Sequence, residues 1–278
     1  MIKVIIFCAA GIGKRVNDFL DEREYEILAF ADNSKEWQGK EYFGKKVIAP
    51  KEITDYNFDY IIIANGRYEK VLTEQLNEMK IDNNKIMTFL PNYKGIIWKD
   101  SRWAMIKNCV HQIKERKIKG NIAELGVYRG DTASYLNYML PTKKIYLFDT
   151  FEGFSDKDTC VKQELSGLFK ETSIDIVLNK MTTPDNAIIK KGWFPETTNN
   201  IEDTFCFVSI DPDLYEPTYE GLKYFYPRLE NGGYIFVHDF GVTNTWPGVH
   251  EAVEQFCKEN QISYVPVLDE AMSVIITK

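Results

Sequence analysis

Strands and helices alternate along this chain, which makes it an α/β protein with mostly parallel sheets. Short apolar runs at 3–8, 26–31 and 60–64 are separated by segments of helical spacing such as 67–79. A strand, a glycine loop and a helix start recur at 121–131, NIAELGVYRGD, and open a second domain. Polar residues collect at the C-terminal ends of the later strands: Asp149, then Asp211 with Asp213, then His238 with Asp239. Those ends are where open α/β sheets bind ligands.

With 278 residues the chain exceeds the roughly 100 to 200 typical of one domain. The expected division is a small α/β domain at 1–92, a linker and helix at 93–118, and a larger domain at 119–278. In the first, strands are expected at 3–8, 26–31, 46–49 and 60–64, helices at 13–20 and 67–79, and an edge strand at 85–89. This part resembles the small Rossmann-like domain found in front of bacterial sugar-modifying enzymes, whose turn reads G-x-G-x-x-G. Cys8, Ala10 and Gly13 stand at those positions, so two glycines are missing. A side chain at Cys8 crowds the approach of a pyrophosphate. An assembly or scaffolding role is therefore expected ahead of dinucleotide binding, with another nucleotide or sugar ligand left open.

A helix is expected at 102–117, and the second domain follows. Ile122, Ala123 and Leu125 form its first buried strand, and Glu124 can accept from the hydroxyls or amine of a small ligand. Gly126 and Gly130 let the backbone turn and approach that ligand, and Asp131 or Thr132 can cap the helix at 132–139. Further strands are expected at 144–148, 186–190, 206–210 and 233–240, a turn at 231–233, helices at 174–179, 218–226 and 248–259, and a closing antiparallel pair at 264–266 and 272–277. The polar loop at 155–168 and the run Gly192, Trp193, Phe194, Pro195 are expected to wall an acceptor pocket. Arg129, Lys157 and Lys162 are candidates for a local cationic site.

Composition narrows the function. A net charge of -7 leaves no basic footprint for nucleic acid. Five cysteines lie far apart without CxxC spacing, which suits buried thiols in a reducing compartment. No run approaches the ~20 apolar residues of a membrane span, and residues 1–15 lack the layout of a signal peptide. A cytoplasmic protein that meets a small molecule and forms a homodimer is the expectation.

The segments AELGVYRG, YLFDTFEGF, GWFPET, SIDPDLYEPT, GLKYFYPRL and GGYIFVHDF occur in this order. With them the chain resembles the macrocin O-methyltransferase (TylF-like) family of S-adenosylmethionine-dependent enzymes, over roughly residues 95–278. The resemblance implies a class I methyltransferase fold with a seven-stranded sheet and magnesium-dependent transfer of a methyl group to a sugar hydroxyl. The acceptor would be a sugar or glycan precursor, as in polysaccharide biosynthesis. It sets Glu124, Gly126 and Gly130 along the methionine and ribose of the donor, with Asp149 on the ribose hydroxyls. Phe151 would pack on the adenine, with Gly192 and Trp193 near its other edge.

The resemblance also assigns Mg²⁺ to Asp211 and Asp239, in keeping with the preference of that ion for oxygen. Many relatives carry a second acidic residue where this chain has His238. His238, Asp211 and Asp213 are the candidates for the base that takes the hydroxyl proton, and Asp213 stands alternatively as a cap of the helix near Pro217. The alternative activities are metal-dependent methylation of a non-sugar hydroxyl and a nucleotide-sugar or dinucleotide-binding enzyme working through the N-terminal domain.

Overall fold

The computed structural model describes residues 1–9, 12–65, 68–88, 101–154, 168–269 and 271–278. It divides into two compact units, Met1–Ala104 and Met105–Lys278. Among the described residues no helix is long and apolar enough to cross a membrane.

The first unit contains β1 (Ile2–Phe7), α1 (Ile12–Phe19), β2 (Tyr25–Ala31), β3 (Glu41–Tyr42), β4 (Lys45–Ile48), β5 (Tyr60–Ile63), α2 (Glu69–Glu78) and β6 (Ile86–Thr88). Its sheet runs β3-β4-β2-β1-β5-β6 and is parallel except for the β3–β4 hairpin. Along β1 the side chains alternate between two cores: Val4 and Ile6 join Val16 and Leu20, while Ile5 and Phe7 join Leu72 and Leu76. Both faces are thus covered, which is why the strand is apolar at nearly every position. The two residues of β3 are too few to carry a sequence pattern, and they were not expected.

Cys8 follows β1 with φ +83, a conformation that favours glycine. Burial, and then the charge of Asp32, push its thiol up to about 11. Asp32 itself accepts from the backbone N–H of Ala9 and of Ser34, both at 2.8 Å. The acid at the end of the second strand is therefore engaged by its own loops.

The second unit follows from helix α3 (Ser101–Glu115), in which the division between the units falls. Then come β7 (Asn121–Leu125), α4 (Asp131–Met139), β8 (Ile145–Asp149), α5 (Ile174–Asn179), β9 (Ala187–Lys191) and β10 (Phe205–Ile210). They are followed by α6 (Tyr215–Arg228), β11 (Leu229–Val237), α7 (Pro247–Asn260), β12 (Val265–Pro266) and β13 (Val274–Thr277). The sheet order is β12-β13-β11-β10-β7-β8-β9. Both pairings of β13 are antiparallel and the other strands are parallel.

From β7 the chain steps outward to β8 and β9, then returns to lay β10 against the other edge of β7. That reversal opens a crevice at the C-terminal ends of β7 and β10. Ala123, Leu125, Val208 and Ile210 turn one face toward Leu222 and Phe225 of α6 and Val249, Val253 and Phe256 of α7.

Four details differ from expectation. Neither Asp131 nor Thr132 caps α4: the N-cap is Gly130, without a side-chain bond, and Asp131 instead reaches Lys180 Nζ at 2.7 Å. The turn at 231–233 is a bulge inside β11, whose register to β10 jumps from Leu229 to Tyr234; φ +81 at Gly232 makes it possible. β11 ends at Val237, so His238 and Asp239 lie just beyond the strand. Phe194 is 4% exposed in the core, against Phe148, Phe225 and Tyr224, and does not wall a pocket. Of the cysteines, Cys109, Cys206 and Cys257 are buried thiols and Cys8 is half-buried; Cys160 lies outside the described residues.

Candidate active site

Strand pairing aligns the loops at the crevice. Gly126 N–H donates to Phe148 O at 3.0 Å, Asp211 N–H to Leu125 O at 2.8 Å, and His238 N–H to Ile210 O at 3.0 Å. The first residues past β7, β10 and β11 are thus held by carbonyls of the last or next-to-last residue of a neighbouring strand. Gly126 has φ +83, and a Cβ there would lie 2.2 Å from Asp211 O. Gly130 has φ +75, and a Cβ there would lie 2.8 Å from Val177 Cγ1. What these two glycines admit is the backbone of the β10 loop and the side chain of Val177.

Asp149 ends β8 and organises the glycine loop. Its Oδ2 accepts from the N–H of Val127 at 2.7 Å and of Tyr128 at 2.9 Å, and its Oδ1 accepts from the N–H of Phe151 at 2.7 Å. A carboxylate has about four acceptor sites, so one direction remains for a ligand hydroxyl. The Phe151 ring is buried and its backbone has φ +52. Gly192 N–H donates to Asp149 O at 3.0 Å, which brings the β9 loop and half-buried Trp193 alongside. Glu124 is 2% exposed, in register with Leu147 on β8 and Ser209 on β10.

Asp211, His238 and Asp239 come together on the other side of the crevice. His238 Nδ1 lies 3.0 Å from Asp211 Oδ1 and 3.1 Å from Asp239 Oδ2. Consecutive residues of a strand point to opposite faces, so His238 and Asp239 could not share a site if β11 simply continued. Asp239 has φ +57 and turns the chain so that both side chains reach it. Asp213, at φ +62, is the fourth member. Burial, then Asp211, then a hydrogen bond and charge from Asp239 hold its carboxyl well above the ordinary range. It does not cap α6, whose N-cap is Leu214.

The donor set suits a divalent cation. Among the described residues, Asp211, His238 and Asp239 are the group of three whose ligand atoms converge, all within 4.8 Å of one another. At 3.0 Å the contact of Nδ1 with Asp211 Oδ1 has the length of a hydrogen bond, and neighbouring ligands on an octahedral ion with bonds of about 2.1 Å lie a similar distance apart. The side chains are 13–21% exposed, so the cluster is largely desolvated yet open to the crevice.

Four aromatic side chains from the connections after β7, β8 and β11 form a chain beside this crevice. Tyr128 meets Phe169 at 5.2 Å, Phe169 meets Phe154 at 5.3 Å, and Phe154 meets Trp246 at 5.9 Å between ring centroids. All four are half-buried. The sequence does not show them as a group, because they lie up to 118 positions apart; aromatics in the connections after β7, β8 and β11 were the available signal. Arg129 is exposed, while Lys157, Lys162 and most of the expected polar loop lie outside the described residues.

Comparison with known proteins bears on this arrangement. A C2185-like N-terminal domain matches residues 1–87, and the macrocin-O-methyltransferase (TylF) family matches residues 60–272, starting well before the expected residue 95. Demethyldecarbamoylnovobiocin O-methyltransferase of Streptomyces niveus is 25% identical over 168 residues, 54% of this chain and 63% of that protein. 8-Demethyl-8-(2,3-dimethoxy-alpha-L-rhamnosyl)-tetracenomycin-C 4'-O-methyltransferase of Streptomyces olivaceus is 22% identical over 163 residues, 52% of this chain and 62% of that protein. The chain thus spans just under two thirds of the length of these two relatives.

The solved structure of the O-methyltransferase NovP is similar with a TM-score of 0.56 at 21% identity, over 76% of this chain and 96% of that one. At that identity the likeness speaks for the fold, the class I methyltransferase sheet. With a family match over most of its length and that sheet beneath its crevice, the chain belongs to the macrocin-O-methyltransferase (TylF) family.

Proposed function

We propose that the chain transfers a methyl group from S-adenosylmethionine to a hydroxyl of a sugar, on a small molecule or a glycan precursor, with the help of a divalent cation. The observation that carries this reading is the convergence of Asp211, His238 and Asp239 across the crevice from the Asp149-braced glycine loop, in a member of an O-methyltransferase family. The relative from Streptomyces olivaceus carries a rhamnosyl group in the name of its activity, which favours a sugar acceptor. The aromatic chain from Tyr128 to Trp246 is suited to the apolar face of such a ring.

In this reading the loop 126–130 and the open acceptor direction of Asp149 hold the donor, with Glu124, Phe151, Gly192 and Trp193 around it. Asp211, His238 and Asp239 hold the cation. When bound, a divalent ion lowers the pKa of an alcohol and offsets the charge that develops on its oxygen. Asp213, beside the ligand set but not part of it, accepts the hydroxyl proton.

Calorimetric titration with S-adenosylmethionine and S-adenosylhomocysteine, with and without Mg²⁺, and with NAD and UDP-sugars as controls, tests the reading. Micromolar binding of the two sulfur compounds is expected. Asp211→Asn and Asp239→Asn should lower kcat/KM by roughly 100-fold or more, about 2.7 kcal/mol, while donor affinity stays nearly unchanged. Binding of NAD or a UDP-sugar alone would refute the methyltransferase reading, and turnover that survives removal of all divalent ions would refute the role of the cation.

A further inference from the structure

The identity of the cation can be argued further from His238, an inference that rests on the cation reading above. The cluster offers two carboxylate oxygens and one imidazole nitrogen. Nδ1 is the shared corner of the set, at 3.0 Å from Asp211 Oδ1 and 3.1 Å from Asp239 Oδ2. Its place is fixed by backbone pairing: His238 N–H bonds to Ile210 O, one residue before Asp211. The imidazole therefore sits in the ligand set by the register of β10 and β11.

Mg²⁺ takes oxygen ligands and gives up its waters reluctantly. Imidazole nitrogen suits the borderline transition metals, and carboxylates beside it still suit Mn²⁺. From this we infer that His238 coordinates the ion and makes the site selective for a transition-metal dication, of the Mn²⁺, Fe²⁺ or Co²⁺ class, over Mg²⁺. An acidic residue at the same position would give an all-oxygen set and remove that preference.

Mixed donor sets favour Mn²⁺ over Mg²⁺ to some degree everywhere, so the informative quantity is how the ratio changes with residue 238. The ion-free chain is titrated with MgCl₂ and with MnCl₂ by calorimetry, as wild type and as His238→Asp. Electron spin-echo envelope modulation of the Mn²⁺-loaded wild type reads out ¹⁴N coupling directly and needs no variant. The expected result is ¹⁴N modulation in the wild type, its loss in His238→Asp, and a Mn²⁺/Mg²⁺ affinity ratio at least about tenfold smaller in the variant.

If both ions bind and the wild type shows no ¹⁴N modulation, His238 is not a ligand and the inference falls, while the proposed function stands. If neither ion binds, the inference and the cation's part in the proposed function fall together. A wild type that shows the modulation while binding Mg²⁺ as tightly as Mn²⁺ would keep the ligand and overturn the selectivity.

Discussion

Gly126 and Asp211 meet backbone against backbone: a Cβ on Gly126 would lie 2.2 Å from the carbonyl oxygen of Asp211 and 2.9 Å from Pro212 N. The loop after β7, assigned to the donor, and the loop after β10, assigned to the cation, are thus packed as one unit at the point where the sheet reverses direction. Neither loop can shift without the other.

Gly126→Ala should therefore disturb both halves of the site. The left-handed φ costs about 1–2 kcal/mol for an L side chain, and the clash adds to it. A loss of about 3 kcal/mol is expected, read as a Tm lower by roughly 6–12 °C for a chain of this size. Donor and cation affinities should fall together, and a variant that loses only donor affinity would separate the loops.

Asp149→Ala should leave the N–H groups of Val127, Tyr128 and Phe151 without their acceptor. Each unsatisfied donor costs about 1–3 kcal/mol, less where water reaches it. Denaturant unfolding should show a loss of about 2–4 kcal/mol without any ligand present. Hydrogen exchange at the Val127 and Tyr128 amides should accelerate, and unchanged exchange there would mean that Asp149 does not brace the loop.

At the opposite end of the sheet, Tyr146 on β8 donates to Asp203, which also accepts from Asn121 Nδ2 at 2.9 Å. The Tyr146 bond is the largest of the influences that lower the carboxyl of Asp203 below its ordinary 3.8. A lowered folded-state pKa means stability that is present above the unfolded value and lost as pH falls through the folded one. Tyr146→Phe should cost about 0.5–1.5 kcal/mol at pH 7, and the gap to wild type should close as the pH of urea unfolding is lowered past 3.8. A gap independent of pH would assign the loss to packing.

Cys8, at φ +83, reverses an ordinary preference. Elsewhere in a chain glycine is less stable than alanine by about 0.5–1 kcal/mol. Here Cys8→Gly should be more stable than Cys8→Ala by about 1 kcal/mol, since only alanine keeps the left-handed strain. Thermal unfolding of the two variants decides it, and the usual order would argue that the backbone at Cys8 relaxes.

The sequence by itself determined the alternation of strands and helices, the second start at residue 121, and the acids at Asp149, Asp211 and Asp239. Those are local properties: apolar period, glycine and the last residue of a strand are all legible within a few positions, and parallel strands bring their ends to one edge. Tertiary structure alone decided the rest. It set the positive φ at Asp239 that brings His238 and Asp239 into one cluster, and it turned Asp149 onto backbone N–H groups. It buried Phe194 in the core and gave the space beside Gly126 to Asp211. Each of these depends on which residues meet across the sheet, more than 20 positions apart in the chain for Val127 and Asp149. The sign of φ and the partner of a side chain follow from that packing, and a local pattern does not encode them.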